Sequence, residues 1–153
     1  MKPTEPRRHR RHANPFTLRG PIEAPDWAAK FSRRAPLALD IGCGSGLFVQ
    51  ALAQARPQWD VVGLEIRPHL VQQTNERMAA CNLGNALCIL ANANAHLGEL
   101  FAANSVAFVS LNFPDPWYKK RHHKRRVMQP QFLQALQPLL CDGAQIHAMT
   151  DYQ

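Results

Sequence analysis

The chain has 153 residues, 46% of them hydrophobic and 19% charged, and carries a formal net charge of +7. Its length suits one domain with a single core, and no apolar run approaches the roughly 20 residues that span a bilayer. The opening Met1-Lys2-Pro3-Thr4 leads into arginines and histidines without the apolar stretch of a secretory leader, so a cytoplasmic protein with no membrane contact is expected.

Residues 1–34 read as a basic arm and lead-in, with nine Lys/Arg against three acidic residues. Residues 1–20 show little apolar patterning and hold Pro3, Pro6 and Pro15. Trp27, Ala28 and Phe31 then fall at the spacing of one short helix that packs on a core. Residues 35–153 form the main domain. Leu37–Ile41 is a short apolar run ending in a glycine loop, which predicts a buried strand. Leu47–Ala55 is helical, with Leu47, Phe48, Leu52 and Ala55 on one face. A second buried strand is predicted over 61–66. Pro68 suits the first turn of a helix that carries Leu70, Thr74, Met78 and Cys81 and ends at Gly84. Ala86–Leu90 reads as a third strand, 94–101 as a short helix, 106–113 as a fourth strand, 130–140 as a helix and 144–150 as a fifth strand. Strands alternating with helices imply an α/β fold with a doubly wound, Rossmann-like parallel sheet. The sequence stops three residues past the fifth predicted strand. The sheet is therefore expected to lack its last strands, leaving the domain incomplete at its C-terminus, with Ile146 and Ala148 uncovered and the chain prone to associate.

The cysteines Cys43, Cys81, Cys88 and Cys141 show no CxxC spacing and sit in apolar segments. Reduced thiols near the core are expected, with no metal site. Charge is unevenly placed. Lys119-Lys120-Arg121-His122-His123-Lys124-Arg125-Arg126 holds six Lys/Arg and no acid, whereas the chain outside this run and the first 34 residues has three basic and eight acidic residues. Two dense basic clusters on an acidic body point to a polyanionic partner such as nucleic acid. His122 and His123 lie inside the second cluster and read as further polar contacts to that partner, since a metal would need more ligands and less local positive charge.

The strongest local motif is Leu39-Asp40-Ile41-Gly42-Cys43-Gly44-Ser45-Gly46, joining the first strand to the first long helix at the edge where open α/β sheets bind ligands. The glycine spacing is GxGxG, and the dinucleotide pattern GxGxxG is not met. Asp40 would repel a phosphate, but not a sulfonium cofactor that also bears an ammonium group. Glu65 closes the second strand and is placed to accept the hydroxyls of a ribose. Asn92, just past the third strand, is placed to bond an adenine edge. The fourth strand runs into Asn112-Phe113-Pro114-Asp115-Pro116-Trp117. Two prolines restrict the backbone around Asp115, and Trp117 offers a flat surface for a base.

Residues 112–126, Asn-Phe-Pro-Asp-Pro-Trp-x-Lys-x-Arg-His-x-Lys-Arg-Arg, resemble the signature of the tRNA (guanine-N7-)-methyltransferases of the TrmB type. The similarity extends to residues 39–46, to Gly63-Leu64-Glu65-Ile66, to Asn92-Ala93 with His96-Leu97, and to Thr150-Asp151, covering roughly residues 36–151. The resemblance implies a class I methyltransferase that uses S-adenosyl-L-methionine and methylates N7 of the variable-loop guanine at position 46 of tRNA. It implies that Asp40, Gly42, Gly44, Gly46, Glu65, Asn92 and Asp115 line the cofactor site, with Asp115 catalytic. Lys119 and Asp151 would contact the substrate, and Lys124, Arg125 and Arg126 would hold phosphates. The family continues past Thr150-Asp151 with a further helix, two strands and a Thr-Lys-Phe-Glu-like motif, so little turnover is expected of this chain alone.

Guanine N7 bears an in-plane lone pair and no proton, so methyl transfer to it needs orientation more than a base. A carboxylate such as Asp115 suits the positive charge that develops on the ring. Two other readings stand at this point. One is a methyltransferase for a small molecule or an exocyclic amine, against which the basic run argues. The other is a nucleic-acid-binding protein that keeps a vestigial cofactor fold.

Overall fold

A computed structural model describes residues 13–151; most of the predicted basic arm, residues 1–12, lies outside that range. The elements follow the sequence pattern closely: α1 (Trp27–Phe31), β1 (Leu37–Ile41), α2 (Leu47–Ala55), β2 (Asp60–Glu65), α3 (Pro68–Ala80), β3 (Ala86–Leu90), α4 (Ala93–Leu100), β4 (Val106–Asn112), α5 (Pro130–Leu136) and β5 (Leu140–Met149). All pairings are parallel and the strand order is β3-β2-β1-β4-β5. The chain thus winds outward from β1 to β3, then returns to lay β4 on the other side of β1. Where β1 and β4 part, the loops at their carboxyl ends run in opposite directions and leave a crevice.

Burial on both faces explains the near-continuous apolar strands. On one face Leu39, Ile41, Val62, Leu64, Val109 and Leu111 pack with Phe31, Leu97, Leu100, Phe132 and Leu136 from α1, α4 and α5. On the other, Ala38, Val61 and Cys88 pack with Val49, Ala53 and Met78 from α2 and α3. The period of two along β1 therefore sends Leu39 and Ile41 one way and Asp40 the other.

Besides α3, which ends at Ala80 rather than at Gly84 because Asn82 turns into the left-handed region at φ +53°, three differences from the sequence reading stand out. α5 stops at Leu136 and gives way to a 3-10 turn over Gln137–Leu139, because Pro138 has no N–H to continue the helix. β5 starts at Leu140, four residues before its predicted start. Its pairing with β4 jumps from Val106↔Leu140 to Phe108↔Gln145, with a bulge around Gly143 at φ +77°. Ile146 on β5 is 48% exposed.

The third concerns the lead-in. Residues 13–22 pack against the body, through a 3-10 turn at Pro15–Thr17 capped by Asn14. The Ile22 N–H donates to Glu99 Oε2 at 2.8 Å, and Trp27 Nε1 donates to the Leu100 carbonyl at 2.9 Å. The Trp27 ring stacks on Phe101 with centroids 5.3 Å apart.

Candidate cofactor and nucleic-acid site

The crevice is a cleft of about 430 Å³, floored by the glycine loop and walled by the ends of β2, β3 and β4. That volume lies within the range of small-molecule sites. Gly42, Gly44 and Gly46 have φ of +70°, +58° and +80°, the left-handed region that side chains disfavour. Gly46 is the most constrained, since a Cβ there would collide with the Thr74 side chain. α3 fixes the loop from behind: Thr74 Oγ1 donates to the Gly44 carbonyl at 3.1 Å, and Arg77 Nε to the Ser45 carbonyl at 3.1 Å.

Glu65 is buried at the end of β2 and takes five donors. Oε1 accepts from the backbone N–H groups of Ile66 (2.9 Å) and Arg67 (3.1 Å) and from Arg67 Nε (3.0 Å); Oε2 accepts from the Gly44 N–H (2.9 Å) and Arg67 Nη2 (3.1 Å). A carboxylate offers about four lone-pair sites, so a ribose diol on Glu65 would take positions that the Arg67 guanidinium now holds. The hydrogen bonds to Glu65 favour the charged guanidinium, as does the more distant charge of Asp115. Sequence reasoning passed over Arg67, an arginine of the loop after β2 with nothing in its spacing to mark it.

Asn92 caps α4, its Oδ1 accepting from the Asn94 N–H at 3.1 Å. Its amide hydrogens go to the Pro15 carbonyl at 2.8 Å and the Leu18 carbonyl at 3.1 Å. The Asn92 side chain thus ties the N-terminal segment down and has no amide hydrogen left for an adenine. His96 makes a parallel tie. Its Nδ1 accepts from the Asn92 N–H at 3.0 Å, which leaves the proton on Nε2 to donate to the Gly20 carbonyl at 2.8 Å. This brings Ala13 and Pro15 to the lining of the cleft. The neighbouring Asn94 donates Nδ2 to the Arg126 carbonyl at 3.1 Å but leaves its buried Oδ1 without a partner.

Asp115 also lines the cleft. It stands between Phe113 (φ +49°) and Trp117 (φ +46°), two large residues in the left-handed region at a cost of order 1–3 kcal/mol each. The loop is pinned by Arg126, whose Nε donates to the Pro116 carbonyl at 2.7 Å. Asn112, at the end of β4, has neither amide atom satisfied although both are buried.

The basic run forms a 3-10 helix over Lys120–Arg125. Arg125 lies over the Trp117 ring at 5.1 Å, and both line the cleft. Phe16 of the N-terminal segment sits among cations, with Arg19 at 4.1 Å, Lys124 at 5.6 Å and Arg125 at 6.0 Å from its centroid. His122 meets Trp117 edge-on at 5.7 Å. Desolvation, then the charges of Arg125, Arg121, Lys119 and Lys124, lower its pKa from the usual histidine value. Among the described residues no group of three or more His, Cys, Asp or Glu could hold a metal, and no helix is long and apolar enough to cross a membrane.

The structure therefore brings Gly42, Gly44, Glu65, Asn92, Asp115 and Arg125 to one cleft. Gly46 lies behind the loop, and Asp40, 2% exposed, lies beneath it. Lys119, Lys124 and Asp151 are exposed and, like Arg126, stand outside the cleft lining.

Comparison with known proteins gives this arrangement a family. Residues 34–153 match the family model described as "Putative methyltransferase". The chain is 41% identical over 149 residues to the tRNA (guanine-N(7)-)-methyltransferase of Synechococcus sp. (strain JA-2-3B'a(2-13)), covering 95% of this chain and 62% of that protein. It is 41% identical over 150 residues to the enzyme of that name from Synechococcus elongatus, covering 94% of this chain and 70% of that one. The chain thus spans about three fifths of the length of the first relative. Among solved structures, the aminoglycoside resistance methyltransferase NpmB1 superposes with a TM-score of 0.61 at 25% identity, over 82% of this chain and 60% of that one. The doubly wound sheet is that of a class I methyltransferase, and the chain belongs to the tRNA (guanine-N7-)-methyltransferase family.

Proposed function

We propose that the cleft binds S-adenosylmethionine and that the chain serves a cytoplasmic tRNA (guanine-N7-)-methyltransferase acting on the variable-loop guanine at position 46. The observation that carries this reading is the meeting of three strand ends in one cleft: the glycine loop after β1, Glu65 at the end of β2, and Asp115 after β4 beside Trp117 and Arg125. The cleft suits the cofactor in size and chemistry. Glycines open the floor to backbone contact. Asn94 and Asn112 also line the cleft, and their buried amide atoms Asn94 Oδ1, Asn112 Nδ2 and Asn112 Oδ1 have no partner in the protein. S-adenosylmethionine would supply an electrophilic methyl on a sulfonium.

The chain's own residues do the rest. Glu65 accepts hydroxyl hydrogens in exchange for Arg67. Trp117 gives a planar face to an extruded base. Asp115, held by two prolines and by the Arg126 clamp on Pro116, carries negative charge towards a ring that becomes positive as N7 is alkylated. Lys119, Lys124 and Arg125 meet the phosphate backbone, which sets affinity and register without reading sequence. Asp151 contacts the substrate from the end of β5.

The test is to incubate the chain with methyl-labelled S-adenosylmethionine and unmodified tRNA, with the Synechococcus elongatus relative in parallel, and to map the label. The label that the chain transfers, however little, is expected at N7 of the variable-loop guanine, as in the relative's reaction. Cofactor bound with label elsewhere would point to a different methyl acceptor, and no cofactor binding by calorimetry would sink the reading.

A further inference from the structure

Beneath the glycine loop is a buried polar pair that the proposed reaction does not use directly. Asp40 on β1 and Ser110 on β4 stand side by side in the sheet register. Both are buried, at 2% and 0% exposure. Ser110 Oγ lies 2.7 Å from Asp40 Oδ1 and 3.3 Å from the Leu39 carbonyl. A hydroxyl has one proton, and the shorter contact to the carboxylate is the stronger claim on it. Among the described residues Ser110 is the one hydrogen-bond donor to that carboxylate.

We propose that Ser110 is a positioning residue for the cofactor site: by donating to Asp40 it keeps that carboxylate charged and fixed under the glycine loop, where the charge favours a sulfonium and ammonium ligand above. The inference rests on the cofactor reading and deepens it.

The electrostatics agree. The groups around Asp40 are Glu65 at the end of β2, whose charge opposes ionisation, Cys43 in the loop itself, paired with Cys88 of β3, and Ser110 of β4. Arg67 is spent on Glu65. Burial, and less strongly Glu65, raises the Asp40 pKa from 3.8 to about 6, and the Ser110 hydrogen bond is what opposes that rise. Asp40 is thus charged at neutral pH by a narrow margin. Removing the hydroxyl moves its titration towards neutrality, and a protonated Asp40 contributes no negative charge to the site.

The sign is fixed by linkage. Affinity for a cationic ligand is highest with Asp40 ionised, so in the wild type it is retained above about pH 6 and falls below it. In Ser110→Ala the fall begins at higher pH. Ser110→Thr, which keeps the hydroxyl, restores the wild-type profile.

The experiment measures two things on the intact chain. The first is the Asp40 carboxyl titration by carbon-13 NMR, assigned with Asp40→Asn. The second is the affinity for S-adenosylmethionine, without tRNA, by calorimetry from pH 5.5 to 8.5. In Ser110→Ala the carboxyl midpoint should rise by about one pH unit, and the affinity profile should move with it. Circular dichroism matching the wild type confirms the fold. An unmoved midpoint overturns the proposal, and so does a midpoint that moves while the affinity profile stays put. If the wild type binds no S-adenosylmethionine at any pH, the proposed function falls instead, and Ser110's hold on Asp40 is judged by the carboxyl titration alone.

Discussion

The two sides of the cleft are built on opposite principles. On the glycine-loop side nearly every polar group is satisfied: Glu65 takes five donors, and α3 holds the Gly44 and Ser45 carbonyls. On the β4 side the Asn112 amide and Arg125 Nε are buried without partners, and Phe113 and Trp117 hold strained dihedrals. Buried polar atoms without partners cost roughly 1–3 kcal/mol each, so the β4 side is held at a cost that the glycine-loop side does not bear. One side is fully bonded and the other is strained. Variants on the β4 side should then change turnover, and variants on the loop side should change binding and stability.

The largest expected effect tests that division directly. Asp115→Asn should lower single-turnover methyl transfer by about 10²–10³-fold while S-adenosylhomocysteine affinity changes little. Equal losses in both would place Asp115 among the binding groups and erase the contrast. Next comes Gly46→Ala, which forces a Cβ into Thr74 at φ +80°. It should cost about 2–4 kcal/mol of stability in denaturant unfolding. Gly44→Ala meets no neighbour within 4 Å and should cost only about 1–2 kcal/mol through its dihedral alone.

Glu65→Ala should weaken S-adenosylhomocysteine by about 1–3 kcal/mol; unchanged affinity by calorimetry would remove Glu65 from the site. The smallest effect is expected at the rim. Lys124→Ala should reduce the slope of log affinity against log salt for tRNA by about 0.7–0.9, with turnover at saturating tRNA preserved. Arg126→Ala should do the reverse, since its Nε holds the Pro116 carbonyl. A slope unmoved by Lys124→Ala would make that cation surface decoration.

How much of this was legible in the sequence depends on what carried each feature. Strand ends, the glycine loop and the Asp115 segment were legible because side-chain type and spacing define them, and all three meet where expected. The packing of residues 13–22 was not, because it is made by the carbonyls of Pro15, Leu18 and Gly20, groups that every sequence possesses. That is also why Asn92 looked free for adenine. Asp40 was expected to line the cofactor site, but the alternation along β1 turns it beneath the floor, outside the cleft lining. The bulge at Gly143 was hidden because its register is set by β4, far away in sequence.

The thiol at the centre of the glycine loop has a practical consequence. Cys43 and Cys88 lie with sulfurs 3.2 Å apart, both buried, and Gly63 leaves them room, since a Cβ there would come within 2.7 Å of Cys43 Sγ. The shared hydrogen bond and burial push the Cys43 pKa well above the usual thiol value, so the reactive thiolate is scarce in the closed molecule. Cys81 and Cys141 are only partly covered and should react with an alkylating reagent first. Labelling of Cys43 then proceeds only as fast as the loop lifts away from β3. The molecule thereby carries its own clock for the opening of its floor, readable by mass spectrometry of the alkylated chain without any engineered label.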